Sequence, residues 1–178
     1  MAAILITGRP GSGKTSLVRD IVPELAAPAS GFYTREVRGA DGRRSGFEIV
    51  TLADAVALLA SIDLDTLHRV GRYGVDLDAL ERVGVPPIET GLRAGHLVVV
   101  DEIGKMELLS TAFQRAMVEA FRRHRLLFGT IMEARHPFAD ELKAQPDTIL
   151  HHLTEANRDE IRGLAQAQLL AALGRLSV

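Results

Sequence analysis

The 178-residue sequence has no cysteine and no tryptophan, and aromatic residues make up only 4% of it. Without cysteine there is no disulfide, no thiolate metal site and no cysteine nucleophile, so packing alone has to hold the fold, and a reducing compartment is permitted. Long apolar runs are missing too. Stretches such as residues 2–6 and 97–100 fall far short of the 20 or so residues that a membrane-crossing helix needs. A secretory leader is not expected, because the polar, glycine-rich stretch from Gly8 occupies the place of its apolar segment. There is no excess of positive charge either: 21 Lys and Arg against 23 Asp and Glu give a net charge of -2. That balance argues against a protein living on nucleic acid or anionic lipid. The expectation is a cytoplasmic protein with neither membrane nor nucleic acid as a partner. The six histidines show no metal-ligand spacing, and the adjacent His151 and His152 would point to opposite faces of a strand.

What is present is ordinary globular composition, 47% hydrophobic and 25% charged. No repeat, low-complexity tract or Pro/Ser-rich linker divides it, so one domain over residues 1–178 is expected, burying roughly 70% of the unfolded surface. Short apolar runs at 3–7, 97–100, 126–130 and 148–153 read as strands. Helical spacing appears at 14–25, where Pro23 should end the helix early, and in Phe113, Ala116, Met117, Ala120 and Phe121, a stripe that Ser110 can cap. A short helix is expected at 138–143, and a last one carries Ile161, Leu164, Ala165, Leu169 and Ala172. Residues 32–37 and 47–52 read as a hairpin turning at Asp41-Gly42. The alanine- and leucine-rich stretch 53–60 reads as a helix, 69–75 as extended chain, and 77–83 and 88–94 as short helices. Strands alternating with helices imply an α/β fold whose mainly parallel sheet is covered on both faces, three layers in all, with the hairpin added.

Gly8-Arg9-Pro10-Gly11-Ser12-Gly13-Lys14-Thr15 matches G-x-x-x-x-G-K-[ST], the phosphate-binding loop, or Walker A motif. Its glycines allow the backbone to turn and approach oxygen closely, and the helix beginning near Lys14 aims its positive end at the anion. Lys14 should reach the β- and γ-phosphates, and the Thr15 hydroxyl should bind Mg²⁺. The motif sits between an expected strand and an expected helix, as that chemistry requires.

Such a loop needs a partner carboxylate at the carboxyl end of a buried neighbouring strand. Leu97-Val98-Val99-Val100-Asp101-Glu102 has this Walker B pattern, with Asp101 placed to hold the Mg²⁺ water shell. Glu102 should face away from Asp101, free to orient or deprotonate a water. The alternatives are a strand-end turn residue for Asp101 and a solvated surface glutamate for Glu102.

Asp101-Glu102-Ile103-Gly104-Lys105-Met106-Glu107-Leu108 after such a strand, with Gly31-Phe32-Tyr33-Thr34-Arg35-Glu36-Val37-Arg38 and Arg69-Val70-Gly71-Arg72-Tyr73-Gly74-Val75 upstream, closely resembles one small P-loop nucleoside-triphosphatase family. It is the family of the thermophile nucleoside-triphosphatases and the cancer-related nucleoside-triphosphatase. The resemblance runs from the loop to Asn157-Arg158-Asp159. It implies a RecA-like sheet and slow hydrolysis of several nucleoside triphosphates, ATP and GTP among them, to diphosphate and phosphate. It also implies nucleotide contacts at Gly8 to Thr15 and at Val100, Asp101, Glu102, Ile103 and Gly104. Arg72 stands where lysine is expected, which keeps the charge.

Other residues carry two readings each. Lys105 adds charge near the γ-phosphate or is an exposed lysine. One of Arg35, Arg38, Arg43 and Arg44 folds over the phosphates as an arginine finger, or all four decorate a solvated hairpin. Asn157-Arg158-Asp159 touches the base, or Asn157 and Glu160 form a capping box. The basic run Arg122-Arg123-His124-Arg125 complements a helix dipole, or contacts RNA or DNA. The leading function is a hydrolase with Lys14, Glu102 and Lys105 at the chemistry. The alternatives are a nucleoside or nucleotide kinase, or a nucleotide-dependent switch with an unidentified protein partner.

Overall fold

The computed structural model describes residues 3–123 and 126–175. Ala2 of the first apolar run, and His124 and Arg125 of the basic run, therefore lie outside the described residues. The strands are β1 (Ala3–Thr7), β2 (Ala29–Arg38), β3 (Arg44–Thr51), β4 (Val56–Ser61), β5 (Arg69–Val70), β6 (Tyr73–Val75), β7 (Leu97–Ile103), β8 (Leu127–Ile131) and β9 (Thr148–His152). They form one sheet in the order β5-β6-β4-β3-β2-β7-β8-β1-β9. The half from β2 to β9 is parallel, and the half from β2 to β5 is antiparallel. The helices are α1 (Lys14–Ile21), α2 (Leu77–Ala79), α3 (Val85–Ala94), α4 (Thr111–Arg122), α5 (Pro137–Lys143) and α6 (Arg158–Gly174).

The central strands are apolar on both faces, and alternation divides their side chains between two cores. Ile4 and Ile6 of β1, Leu97 and Val99 of β7 and Phe128 of β8 pack with Leu17, Val18 and Ile21 of α1 and Ile161, Ala165 and Leu169 of α6. Leu5, Val98, Val100 and Leu127 pack the other way, with Ile88 and Leu92 of α3, Phe113, Ala116 and Met117 of α4, and Ala139 and Leu142 of α5. A fully buried side chain such as Phe113 or Phe128 contributes about 1.5–3 kcal/mol. Ser110 caps α4 as expected, accepting from the Phe113 amide at 3.0 Å. Helix α1 stops at Ile21, and a 3₁₀ turn carrying Pro23 follows.

Several expectations need correction. Residues 53–60 are not helical: after a tight turn at Asp54 (φ 62°), where the Thr51 hydroxyl accepts from the Ala55 amide, the chain returns as β4 along β3. Strand pairing with two apolar positions, Leu59 and Ala60, buried overrides the helix propensity of alanine and leucine. The two helices expected between 77 and 94 are one continuous helical stretch, joined by a π turn at Leu80–Gly84. Asp76 caps its start by accepting from the Ala79 amide. On α6, Leu164 is 44% exposed and does not share the buried face. The capping box lies one turn earlier than expected: Thr154 is its first member and Asn157 its last, and Asn157 makes no side-chain cap for α6.

Candidate active site

The phosphate loop leaves the carboxyl end of β1 and enters α1. Gly8 has φ 147°, and a Cβ there would run into the Leu153 carbonyl, so only glycine lets the loop pass β9. Gly13, at φ 88°, is the N-cap of α1 and offers no side chain to its first amides. Those amides are left for an anion. Lys14 is buried, and its ammonium donates to the Gly8 carbonyl at 2.9 Å and the Arg9 carbonyl at 3.2 Å. Arg9, Pro10 and Gly11 form the exposed crest of the loop.

The loop is braced from the far end of the chain. Arg158 donates to the Gly13 carbonyl at 3.0 Å and to Asp20 at 3.1 Å. Arg162 and Gln166 both reach Glu24. Arg158 thus grips the backbone of the loop, a role sequence reasoning missed.

Asp101 ends the apolar part of β7 and is wholly buried. It is not on the strand next to β1, as expected, because β8 lies between. The intervening strand supplies a link: the Thr130 hydroxyl donates to Asp101 Oδ1 at 2.5 Å. The other oxygen, Asp101 Oδ2, has no hydrogen-bond partner, and neither have the buried hydroxyls of Thr7, at the end of β1, and Ser12, in the phosphate loop. Burial pushes the Asp101 carboxyl above its ordinary range, while Thr130, Thr15 and Lys14 act the other way. Glu102 is half-buried; burial raises its pKa too, opposed by Lys14 and reinforced by Asp101. Glu107, fully enclosed, is pushed up to about 8 by burial first and by the charges of Glu102 and Asp101 after that.

A cavity of about 430 Å³ opens beside the loop. Gly8, Pro10, Lys14, Glu102, Gly104, Lys105 and Glu107 line it, together with Thr34, Phe47, Leu59, Val70 and Met132. Lys14, Glu102 and Lys105 are therefore brought together. Val100 and Ile103 are not: both side chains are buried in the apolar core. A larger cavity of about 600 Å³, between α4 and α5, touches no loop residue, and size does not mark the site. The hairpin arginines are engaged locally. Arg35 pairs with Glu48, Arg38 and Arg44 with Glu36, and Arg43 with Asp41. Alternation also puts Arg35 on the sheet face opposite the cavity-lining Thr34. His151 meets Gln168 and His152 meets Glu133, on opposite sides of β9. Among the described residues no group of three or more His, Asp or Glu is placed to hold a metal.

Sequence reasoning gave no role to Thr130, read Arg158 only within a stretch that touches the base, and reached Glu107 only as part of a motif. A polar residue ending an otherwise apolar strand, as Thr130 does, is the signal that points to it.

A strand running through G-x-x-x-x-G-K-T into a helix, with a buried aspartate at the carboxyl end of the same parallel sheet half, defines a P-loop nucleotide-binding protein. Comparison with known proteins narrows the class. The chain belongs to the NTPase family, whose family model matches residues 3–164. It is 44% identical over 158 residues to the nucleoside-triphosphatase THEP1 of Thermotoga petrophila, covering 89% of this chain and 87% of that one. The crystal structure of THEP1 from Aquifex aeolicus superposes with a TM-score of 0.86 at 34% identity, over 94% of this chain and 98% of that one. The solution structure of a human cancer-related nucleoside triphosphatase gives 0.80 at 30% identity, over 96% and 98%.

Proposed function

We propose that this protein hydrolyses nucleoside triphosphates to diphosphate and phosphate with Mg²⁺, slowly and with broad tolerance of the base. Membership of the NTPase family supports hydrolysis. The observation that carries the metal-dependent reading is the Asp101 carboxylate, buried, tied through one oxygen to Thr130 and unpaired at the other. An unpaired buried oxygen is costly unless a ligand completes it. A magnesium ion fits a donor set of Asp101 and Thr15, because it takes one or two carboxylates and fills its remaining positions with phosphate and water. When bound, it neutralises charge on the β- and γ-phosphates.

The chain's own residues do the rest. Lys14 exchanges the Gly8 and Arg9 carbonyls for phosphate oxygen, and the amides of Gly11 to Thr15 hold the anion. Glu102 orients a water whose oxygen bonds to the γ-phosphorus and whose proton passes to the carboxylate. The bond from that phosphorus to the β–γ bridging oxygen breaks, and the diphosphate leaves. Lys105, exposed at the cavity rim, adds positive charge there. We read β8 between the strands of Gly8 and Asp101 as a RecA-like arrangement within one three-layer domain spanning residues 1–178, working in the cytoplasm. The test is single-turnover phosphate release with Mg-ATP. Lys14→Ala should abolish binding, and Glu102→Gln should slow release by about 10²- to 10⁴-fold while binding persists. A Glu102→Gln rate within about threefold of the parent would remove Glu102 from the chemistry.

A further inference from the structure

The sheet order fixes the direction in which a triphosphate lies. Asp101 and Glu102 belong to β7, two strands from β1 on one side and about 10 Å away, while β9 adjoins β1 on the other side at about 5 Å. The γ-phosphate has to reach Glu102, so the other phosphates run back over the loop and the nucleoside leaves on the side of β9. Arg158, the first residue of α6, lies there against the loop. A Cβ on Gly13 would come 2.5 Å from one guanidinium nitrogen and 3.6 Å from Cζ, so the loop meets the edge of the group and not its face. The bonds to the Gly13 carbonyl and to Asp20 use that edge as well. The side chain is 33% exposed, which leaves surface for a flat partner.

We infer that the nucleobase stacks on the Arg158 guanidinium beside Gly13, so that one side chain both braces the loop and carries the base. This rests on the reading above that Asp101 and Glu102 serve the γ end of the triphosphate. A planar guanidinium stacks on aromatic faces, and stacking accepts every base because each has a π face. The turn between β9 and α6 leaves little to read a base by its edge. Both ends of the Asn157 amide are engaged: Nδ2 donates to the His152 carbonyl at 2.9 Å, and Oδ1 accepts from the Thr154 amide at 2.7 Å. A base held by its face and not by its edge gains affinity without discrimination. The apolar residues of the cavity, Phe47, Leu59 and Val70, stand on β3, β4 and β5, beyond β7 and so at the γ end of the triphosphate.

Calorimetric titration of the full chain with Mg-ATP and with Mg-tripolyphosphate, which has the phosphates and no base, separates the two roles of Arg158. The parent should bind ATP at least about fivefold more tightly, the lower end of what a stacked base is worth. Arg158→Lys keeps a cation for Asp20 and loses the planar group. It should weaken ATP by about fivefold or more and tripolyphosphate by less than about threefold, erasing most of the difference. Arg158→Ala should weaken both ligands through the lost brace, and ATP the more. Phe47→Leu should leave the ratio of the two affinities at its parental value. A ratio that survives in both Arg158 variants makes Arg158 a brace only and overturns the base site. A ratio that collapses in Phe47→Leu puts the base on the apolar residues of the cavity and overturns it too, as does a parent that binds tripolyphosphate as tightly as ATP. Failure of the hydrolytic reading shows separately, as ATP bound with no phosphate released, and does not alter the ratio.

Discussion

Thr130→Val is the substitution that isolates the link between β8 and Asp101. Valine keeps the shape of threonine and removes one hydroxyl, so no cavity opens in a residue that is 0% exposed. The hydroxyl donates to Asp101 Oδ1 at 2.5 Å, so the variant removes a short hydrogen bond to a buried carboxylate and leaves it to the weaker influence of Thr15, Lys14 and the Thr34 backbone. A hydrogen bond to a charged group is worth about 1.5–3 kcal/mol net. At about 2–4 °C per kcal/mol for a chain of this size, Tm should fall by about 3–12 °C. Burial already favours the neutral carboxyl, so protonation limits the cost, and the upper figure is a ceiling. Urea denaturation without nucleotide or Mg²⁺ is the assay, with Thr130→Ser as the variant that keeps the donor. Asp101→Asn closes a double-mutant cycle. Coupling of about 1–2 kcal/mol between the two positions is expected. Additivity within about 0.3 kcal/mol would refute the link.

Burial raises the folded pKa of Glu107 to about 8, so its contribution to stability is complete below its unfolded pKa of about 4.5 and is lost as pH rises through about 8. Thermal unfolding from pH 5 to 9 should therefore show a decline of at most roughly 1.4 kcal/mol per pH unit that Glu107→Gln removes, and equal slopes in the two proteins would contradict it. Arg158→Ala frees the Gly13 carbonyl and Asp20 and should weaken ATP binding by calorimetry about tenfold, or about 1.4 kcal/mol; an unchanged Kd would show the grip to be dispensable. Alanine at Arg35, Arg38, Arg43 or Arg44 should each change turnover by less than about tenfold, because each is paired within the hairpin, and a loss of about 10³ at any one would make it an arginine finger. ATP, GTP and CTP should be turned over within about an order of magnitude of one another, and a thousandfold preference would demand buried polar partners for one base.

The parts of the fold that were legible in the sequence are those where local pattern and final environment agree. The run from Leu97 to Val100 is apolar because both faces of β7 are covered, and the stripe from Phe113 to Ala120 is buried because it is a stripe. The phosphate loop was legible because glycine at 8 and 13 and lysine at 14 answer to backbone and charge requirements that are local. Residues 53–60 misled because their strand character comes from β3, a partner that composition does not name. The same holds at the site. Asp101 could be read from its strand end, but Thr130 and Arg158 act across 29 and 145 positions of sequence, and their partners emerge only when the sheet order and the packing of α6 are known.

The grip of α6 on the phosphate loop also orders events in time. The loop is made before the elements that hold it: β1 is flanked by β8 and β9, and α1 and the 3₁₀ turn after it are tied to Arg158, Arg162 and Gln166. Both flanks and the brace come from the last third of the sequence. A growing chain therefore carries its nucleotide loop unsupported until β8, β9 and α6 have been made, and competence to bind arrives only with α6. Bound nucleotide can then stabilise the finished protein but cannot guide its early folding. Contacts so distant in sequence also make closure of the central sheet the slow event in folding.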